Sequence, residues 1–239
     1  LIPRSKGEIS ILGADPGEAG PRLRERIGYV SEEQGLYGWM RVSRLVDFCR
    51  GLYTHWNQSL VESYLARFAL PLQARVGSLS KGERVRLALI LALGPEPELL
   101  ILDEPMNGLD PLAQHEFLRI VQEAAVSKGR TIFFSTHNLA DVEAIATHVA
   151  ILGDGVIKAM GPLDEVRSLV RRIKTGKTEK ALPAGAMLLE EDDVSSTYLI
   201  PVKRDALKEW AATGSSGAIL EESPATLREV FIYFCGRRG

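Results

Sequence analysis

Cysteine is nearly absent: Cys49 and Cys235 are the only two in 239 residues. Neither belongs to a CxxC pair or a Cys/His cluster, which excludes a disulfide framework and a thiolate metal site and fits a reducing cytosol. Long apolar runs are also missing. No stretch approaches the ~20 apolar residues needed to cross a bilayer, and none has the charged, apolar and small-residue order of a signal peptide. Any work at a membrane would therefore go through a partner. Charge of one sign is missing too, since 29 Lys and Arg stand against 31 Asp and Glu. A net charge of -2 gives no reason to expect nucleic acid as a partner. The short basic runs, Arg22 to Arg26, Arg171 to Lys174 and Arg237-Arg238, read as solvated surface. What remains is an ordinary globular composition, 45% hydrophobic and 25% charged. It suits one large domain, alone or with a small appendage, and argues against disorder.

Three short apolar runs organise the chain: Leu99 to Leu102, Thr131 to Phe134 and Val149 to Leu152. Without alternation, such runs read as strands buried on both faces. Helical patterns at Ala113 to Ala125 and Leu139 to Ala146 separate them. That order predicts an α/β fold with a parallel sheet. Leu45, Phe48, Leu52, Leu60, Tyr64, Leu65 and Phe68 recur at helix spacing, predicting a helical subdomain over about 40–92. Glu8 to Leu12 and Ile27 to Val30 are further strand candidates. Lys174 to Gly185 is polar and reads as a linker. Beyond it, Met187 to Leu189 and Tyr198 to Val202 read as strands, with helices at Asp205 to Ala212 and Thr226 to Phe234. The expected organisation is a main domain over 1–173 and a small α+β appendage over 174–239.

Chemistry gathers after the first apolar run. Leu99 to Leu102 delivers two acids, Asp103 and Glu104, to a strand end, where ligand sites of parallel sheets lie. Upstream stands Leu79-Ser80-Lys81-Gly82-Glu83, downstream Gly108-Leu109-Asp110-Pro111, and after the next apolar run Ser135-Thr136-His137. Ser80 with Glu83 also satisfies the capping-box pattern, which by itself explains a helix start.

These four elements, in this order, resemble the ABC ATPase family: its signature loop, Walker B strand, D-loop and switch histidine. The resemblance runs from about Pro3 to Gly155, and less specifically to the end. It implies a P-loop NTPase-like core with an inserted helical subdomain, and ATP with Mg²⁺ as cofactors. Asp103 would then hold the metal, Glu104 serve as catalytic base and His137 contact the terminal phosphate. Ser80, Lys81, Gly82 and Asp110 would face ATP held by a second ABC ATPase subunit, identical or not. Lys81 and Glu83 depart from the commonest signature, LSGGQ, and Lys81 adds a positive charge where phosphate would lie. Ile27 to Gln34 resembles the Q-loop region, its glutamine position aligning with Glu32, while Gln34 could substitute in a shifted loop. Leu36 to Met40 could pack on the helical subdomain, receive a coupling helix of the membrane subunit, or do both. Tyr53 to Trp56 and the tail are similar to cassettes that pair with ABC-2-type membrane proteins, often exporters. The implied partner is a multi-span permease at the cytoplasmic face of the cell membrane.

The phosphate-binding loop GxxxxGK(S/T) is not in the sequence, and Gly176-Lys177-Thr178 imitates only its end, with Arg171 where the first glycine belongs. With Leu rather than Met at position 1, the expectation is a chain cut after that loop and inactive alone. A non-hydrolysing regulatory subunit completing a partner's site is the alternative, and a DNA-repair or translation ABC protein a third reading. The Asp103-Glu104 pair with His137 favours the hydrolytic one.

Overall fold

The computed structural model describes residues 5–176, 184–202 and 219–236, apart from the Lys128 side chain. Two compact units divide it, Leu1–His137 and Asn138–Gly239.

In the first unit, three short strands, β1 (Ile27–Val30), β2 (Leu99–Asp103) and β3 (Thr131–Ser135), form a parallel sheet in the order β1-β2-β3. α1 (Gly20–Glu25) leads into β1. Parallel neighbours need long crossovers, and helices supply them. Between β1 and β2 run α2 (Val42–Arg50), α3 (Gln58–Arg67), a one-turn helix at Val76–Ser78 and α4 (Lys81–Leu93), the helical insertion the periodicity predicted. Between β2 and β3 runs α5 (Pro111–Lys128), with proline in its first turn and a left-handed Gly129 at its end. α4 carries no polar face after Arg86 because it is buried: Leu87 to Leu93 are all buried residues. Gly28 allows that close packing. A Cβ there would lie 2.8 Å from the Ala92 carbonyl oxygen and 2.9 Å from Leu100 Cδ1.

The sheet departs from the expected burial on both faces. Val30, Leu100 and Leu102 point to the side covered by α4 and α5 and are at most 1% exposed. On the opposite side Tyr29 is 57% and Phe133 63% exposed, since no described helix of this unit covers that face. Residues Glu8 to Leu12, expected as a strand, make only a lone bridge between Ile11 and Ala14. Leu12 and Gly13 both have positive φ, which turns the chain back at once.

The second unit contains α6 (Leu139–Ile145), β4 (His148–Gly153), β5 (Val156–Pro162), α7 (Leu163–Ser168), β6 (Val170–Gly176), β7 (Met187–Glu191), β8 (Ser195–Pro201), β9 (Ile219–Pro224) and α8 (Leu227–Cys235). The apolar run Val149 to Leu152 forms β4 as expected, but β4 is not a further parallel strand. It pairs antiparallel with β5 in a two-stranded hairpin. Asp154 (φ 52°) and Gly155 (φ 74°) make the tight turn that such a dipeptide favours. β6 to β9 form an antiparallel sheet in the order β7-β8-β6-β9. Its core gathers Ile151, Val166, Val170, Leu199, Val230 and Tyr233. Lys174 to Gly176, expected to begin a linker, instead finish β6, because each pairs with β8. The helix expected at Asp205 to Ala212 lies outside the described residues, as does 177–183. The break between compact units falls at His137/Asn138 rather than at the composition change near Lys174.

Candidate functional site

β2 carries Asp103 to the carboxyl end of the sheet, beside the end of β3, with Asp103 opposite Ser135. Ser135 Oγ donates to Asp103 Oδ1 at 2.7 Å and accepts the Glu104 backbone N–H at 3.0 Å. One hydroxyl thus joins both acids. Glu104 sits at φ 43°, a left-handed conformation that costs a non-glycine residue of order 1–3 kcal/mol and is held only where neighbours over-determine it. His137, two residues beyond β3, supplies another restraint: its Nδ1 lies 2.9 Å from Glu104 Oε2. Because the carboxylate can only accept, Nδ1 is the donor. The Glu104 side chain is 26% exposed and His137 72%, so the pair faces solvent with the acid recessed.

The next turn adds Asn107, whose Nδ2 donates to Glu32 Oε1 at 2.8 Å. Glu32 follows β1, the neighbour of β2, so the pairing links two adjacent strand ends. Gln34, the other Q-loop candidate, turns its amide back onto the Glu32 carbonyl. The structure therefore brings Glu32, not Gln34, to the loop that follows the acids.

The start of α4 is built locally. Ser80 Oγ accepts the Glu83 N–H at 3.2 Å, and the Glu83 carboxylate accepts the Ser80 N–H at 2.7 Å, the reciprocal capping box read from the sequence. The Ser80 N–H and then its hydroxyl hold the Glu83 carboxyl below the usual range. Asp110 is likewise a helix cap, its Oδ1 accepting the N–H groups of Leu112 and Ala113, both at 3.0 Å. Two glycines bring these helix starts together. A Cβ on Gly82 would meet the Ala113 methyl at 3.2 Å, and one on Gly108, at φ 68°, would lie 2.7 Å from Lys81 Nζ. The Lys81 amine thus reaches over the Gly108 backbone. An ion pair between Arg86 and Glu116, both partly buried, ties α4 to α5 below. Glu32, Glu33, Gln34, Lys81 and Arg84 line an open cleft of about 350 Å³.

Asp103, Glu104 and His137 thus converge with Ser135. Glu32 joins their loop through Asn107, and Ser80, Lys81, Gly82 and Asp110 make a second group at the starts of α4 and α5. Ser135 and Asn107 are the two that motif reading did not single out as site residues. Only the register of β2 with β3 gives Ser135 its role, and nothing local marks Asn107. His55 and His148, outside every motif, bond to Glu96 and Thr147.

Asp103 offers oxygen ligands beside a second acid at a strand end, which suits a hard divalent cation. Among the described residues no three His, Cys, Asp or Glu side chains close on one point.

Comparison with known proteins bears on the family of the chain. Residues 49–141 match a family described as "AAA domain, putative AbiEii toxin, Type IV TA system". The chain is 26% identical over 223 residues to the ABC transporter ATP-binding protein YtrB of Bacillus subtilis (strain 168), covering 91% of this chain and 76% of that protein. It is 30% identical over 245 residues to the Nod factor export ATP-binding protein I of Rhizobium sp. (strain N33), covering 97% of this chain and 79% of that protein. Of other curated relatives it spans about half, 51% and 48% of their lengths. A solved structure described as an ATP binding subunit of an ABC transporter superposes with a TM-score of 0.61 at 32% identity, covering 68% of this chain and 70% of that one. With the parallel α/β sheet, the helical insertion and the acids at the strand end, these likenesses establish that the chain belongs to the ATP-binding proteins of ABC transporters.

Proposed function

We propose that this protein hydrolyses ATP to drive transport through a separate multi-span permease. The observation that carries the reading is Glu104, recessed, conformationally strained, and restrained by Ser135 at its backbone and His137 at its carboxylate. A residue held this way suits a general base, which must meet a water in one orientation. Asp103, oriented by Ser135, would hold Mg²⁺ on the nucleotide phosphates, and Glu32 would stand on the neighbouring strand end. When bound, the metal neutralises phosphate charge and orients the transferred group. Glu104 then accepts the proton of the attacking water, while His137 keeps the carboxylate aimed and reaches the terminal phosphate.

Ser80, Lys81, Gly82 and Asp110 are assigned to a nucleotide held by a second ABC ATPase subunit, identical or not. The N–H groups and positive dipole end at the start of α4, with the Lys81 amine beside them, suit a phosphate. The permease contact is assigned to the aromatic cluster after β1. Tyr37 packs on Trp39 and Phe48 at centroid distances of 6.2 and 5.8 Å, yet Trp39 stays 70% exposed. No helix among the described residues is long and apolar enough to cross a membrane. The proposed place, which follows from the permease partner, is the cytoplasmic face of the membrane. The relatives named for export favour an exporter. The proposed chemistry lies in residues up to His137, and the second unit, Asn138–Gly239, is assigned an accessory role.

The test is Glu104→Gln in the natural gene product. Turnover is expected to fall about 10²–10⁴-fold, the scale of a lost general base, with ATP still bound. The trapped protein is expected to dimerise around nucleotide by light scattering. Unchanged turnover would remove Glu104 as the base, whereas no turnover in the unaltered protein would leave a regulatory subunit that completes a partner's site.

A further inference from the structure

The two helices that begin at Ser80 and Asp110 touch at two levels. The first is Gly82 against Ala113, where an added Cβ would stand 3.2 Å from the alanine methyl. The second lies about one turn further along both helices, where Arg86 Nη1 donates to Glu116 Oε2. Residues three and four apart share a helix face, so both contacts lie on one seam. A single contact between crossing helices is a pivot. A second contact, one turn away, fixes the rotation about it.

Arg86 also reaches back along its own helix. Its Nε donates to the Gly82 carbonyl at 3.2 Å. One guanidinium thus holds the residue at the pivot and an acid on the neighbouring helix. Its side chain is 17% exposed, so water competes little for these donors. The guanidinium lies over Phe68, the residue that closes α3, with Cζ 5.8 Å from the ring centroid. Arg67 lies over the same ring, its Cζ 5.2 Å from the centroid, and its Nη1 donates to Glu123 Oε2 at 2.7 Å. Two arginines therefore share one phenyl ring, and each pairs with its own acid on α5. Of the two, Arg86 is the one bonded to the start of α4.

At that start, Ser80 Oγ accepts the Glu83 N–H and the Ser80 carbonyl accepts the Arg84 N–H. The N–H groups of Lys81 and Gly82 have no acceptor within the helix, which leaves them to meet an anion. Where they point depends on how α4 is turned against α5. A lysine at position 86 would not fix that turn, because an ammonium has neither a flat face for the ring nor donors in a rigid fork.

We propose that Arg86 is a positioning residue that locks the start of α4 to α5 through Gly82 and Glu116, so that Ser80 to Gly82 and Asp110 meet the partner's nucleotide as one surface. This rests on the reading above in which those residues face ATP held by a second subunit.

The experiment uses the natural gene product with Mg²⁺ and a non-hydrolysable ATP analogue, which makes it independent of Glu104. Calorimetry at a concentration too low for dimers reads nucleotide affinity of the single subunit. Light scattering reads nucleotide-driven dimerisation, with itself or with a co-purified second cassette. Arg86→Lys and Glu116→Gln are each expected to leave the first within about twofold and to weaken the second about tenfold, the scale of one charged hydrogen bond. The double variant should lose no more than the worse single one, since the two groups act as a unit. Glu123→Gln is the control. It breaks the other ion pair on α5, so it should lower the melting temperature and leave dimerisation unchanged. Glu116→Gln carries the test where Arg86→Lys does not fold. Unchanged dimerisation in the Arg86 and Glu116 variants, or an equal loss in Glu123→Gln, would overturn the positioning role. Failure of the unaltered protein to dimerise with nucleotide bound would instead sink the shared-site reading, and the role of Arg86 with it.

Discussion

The loop that follows β2 and the start of α4 carry the two halves of the candidate site, and they are built in opposite ways. At the start of α4, Ser80 and Glu83 satisfy each other within one helical turn. After β2, these side-chain restraints come from far along the chain: Ser135 on Asp103 and Glu104, His137 on Glu104, Glu32 on Asn107. The first half needs only its own sequence to fold correctly. The second exists only when three strands lie in register. Local construction suits a surface that must be presented to a partner, and cross-strand construction suits atoms that must meet one water in one orientation.

This contrast can be tested at both ends. The largest effect is expected at Glu104, where glutamine would remove the proposed base and lower turnover about 10²–10⁴-fold with little change in stability. Ser135→Ala comes next. It leaves the part-buried Glu104 N–H without its acceptor and frees Asp103, so the unfolding free energy is expected to drop by about 1–3 kcal/mol in urea titrations, with turnover falling as well. A stability loss without loss of turnover would mean that Ser135 supports the sheet and not the acids. At the α4 start, Ser80→Ala is expected to cost about 1 kcal/mol, the usual value of a helix cap, by the same titration. Its signature is in the pH dependence. The Glu83 carboxyl is held below its usual range in the folded chain by the Ser80 N–H and hydroxyl. The stabilisation it brings is therefore complete above the ordinary glutamate range and fades as pH falls through the lowered value. Ser80→Ala should flatten that acid-side decline. Glu83→Gln should be smallest, within a few tenths of a kcal/mol at neutral pH, because glutamine also serves in a capping box, and it should abolish the pH dependence.

A parallel case outside the site is Asp192, in the turn between β7 and β8. Its carboxylate accepts from the Val194 N–H, the Ser195 hydroxyl and the Ser195 N–H, which lower its pKa to about 2. The turn's contribution is full above the ordinary aspartate range and is lost only as pH approaches about 2, so Asp192→Asn should lower the melting temperature at pH 6 more than at pH 2.

What could be read from residues follows the same division. The capping box at Ser80, the helix from Thr226, the helical insertion and all three apolar strand runs are legible, because each depends on spacing within a few residues. One misreading came from treating apolar runs as interchangeable. Val149 to Leu152 and Leu99 to Leu102 look alike, but only the first is followed by Asp154-Gly155, a hairpin signal that turns it into an antiparallel pair. Lys174 to Gly176 looked like linker because polar residues dominate, yet edge-to-edge pairing with β8 needs no apolar composition. The exposed face bearing Tyr29 and Phe133 was equally unreadable, since a strand's composition does not say which neighbour arrives to cover it.

Sequence alone determined the order of the motifs, the acids at a strand end, the caps of α4 and α5, and with them the family. These are properties of backbone propensity and short-range hydrogen bonding. Tertiary structure decided that Ser135 serves both acids, that His137 closes on Glu104, that Glu32 rather than Gln34 reaches Asn107, and that Lys81 lies over Gly108. Each joins groups on different elements. Only strand register and helix packing fix such distances, and a linear pattern carries neither.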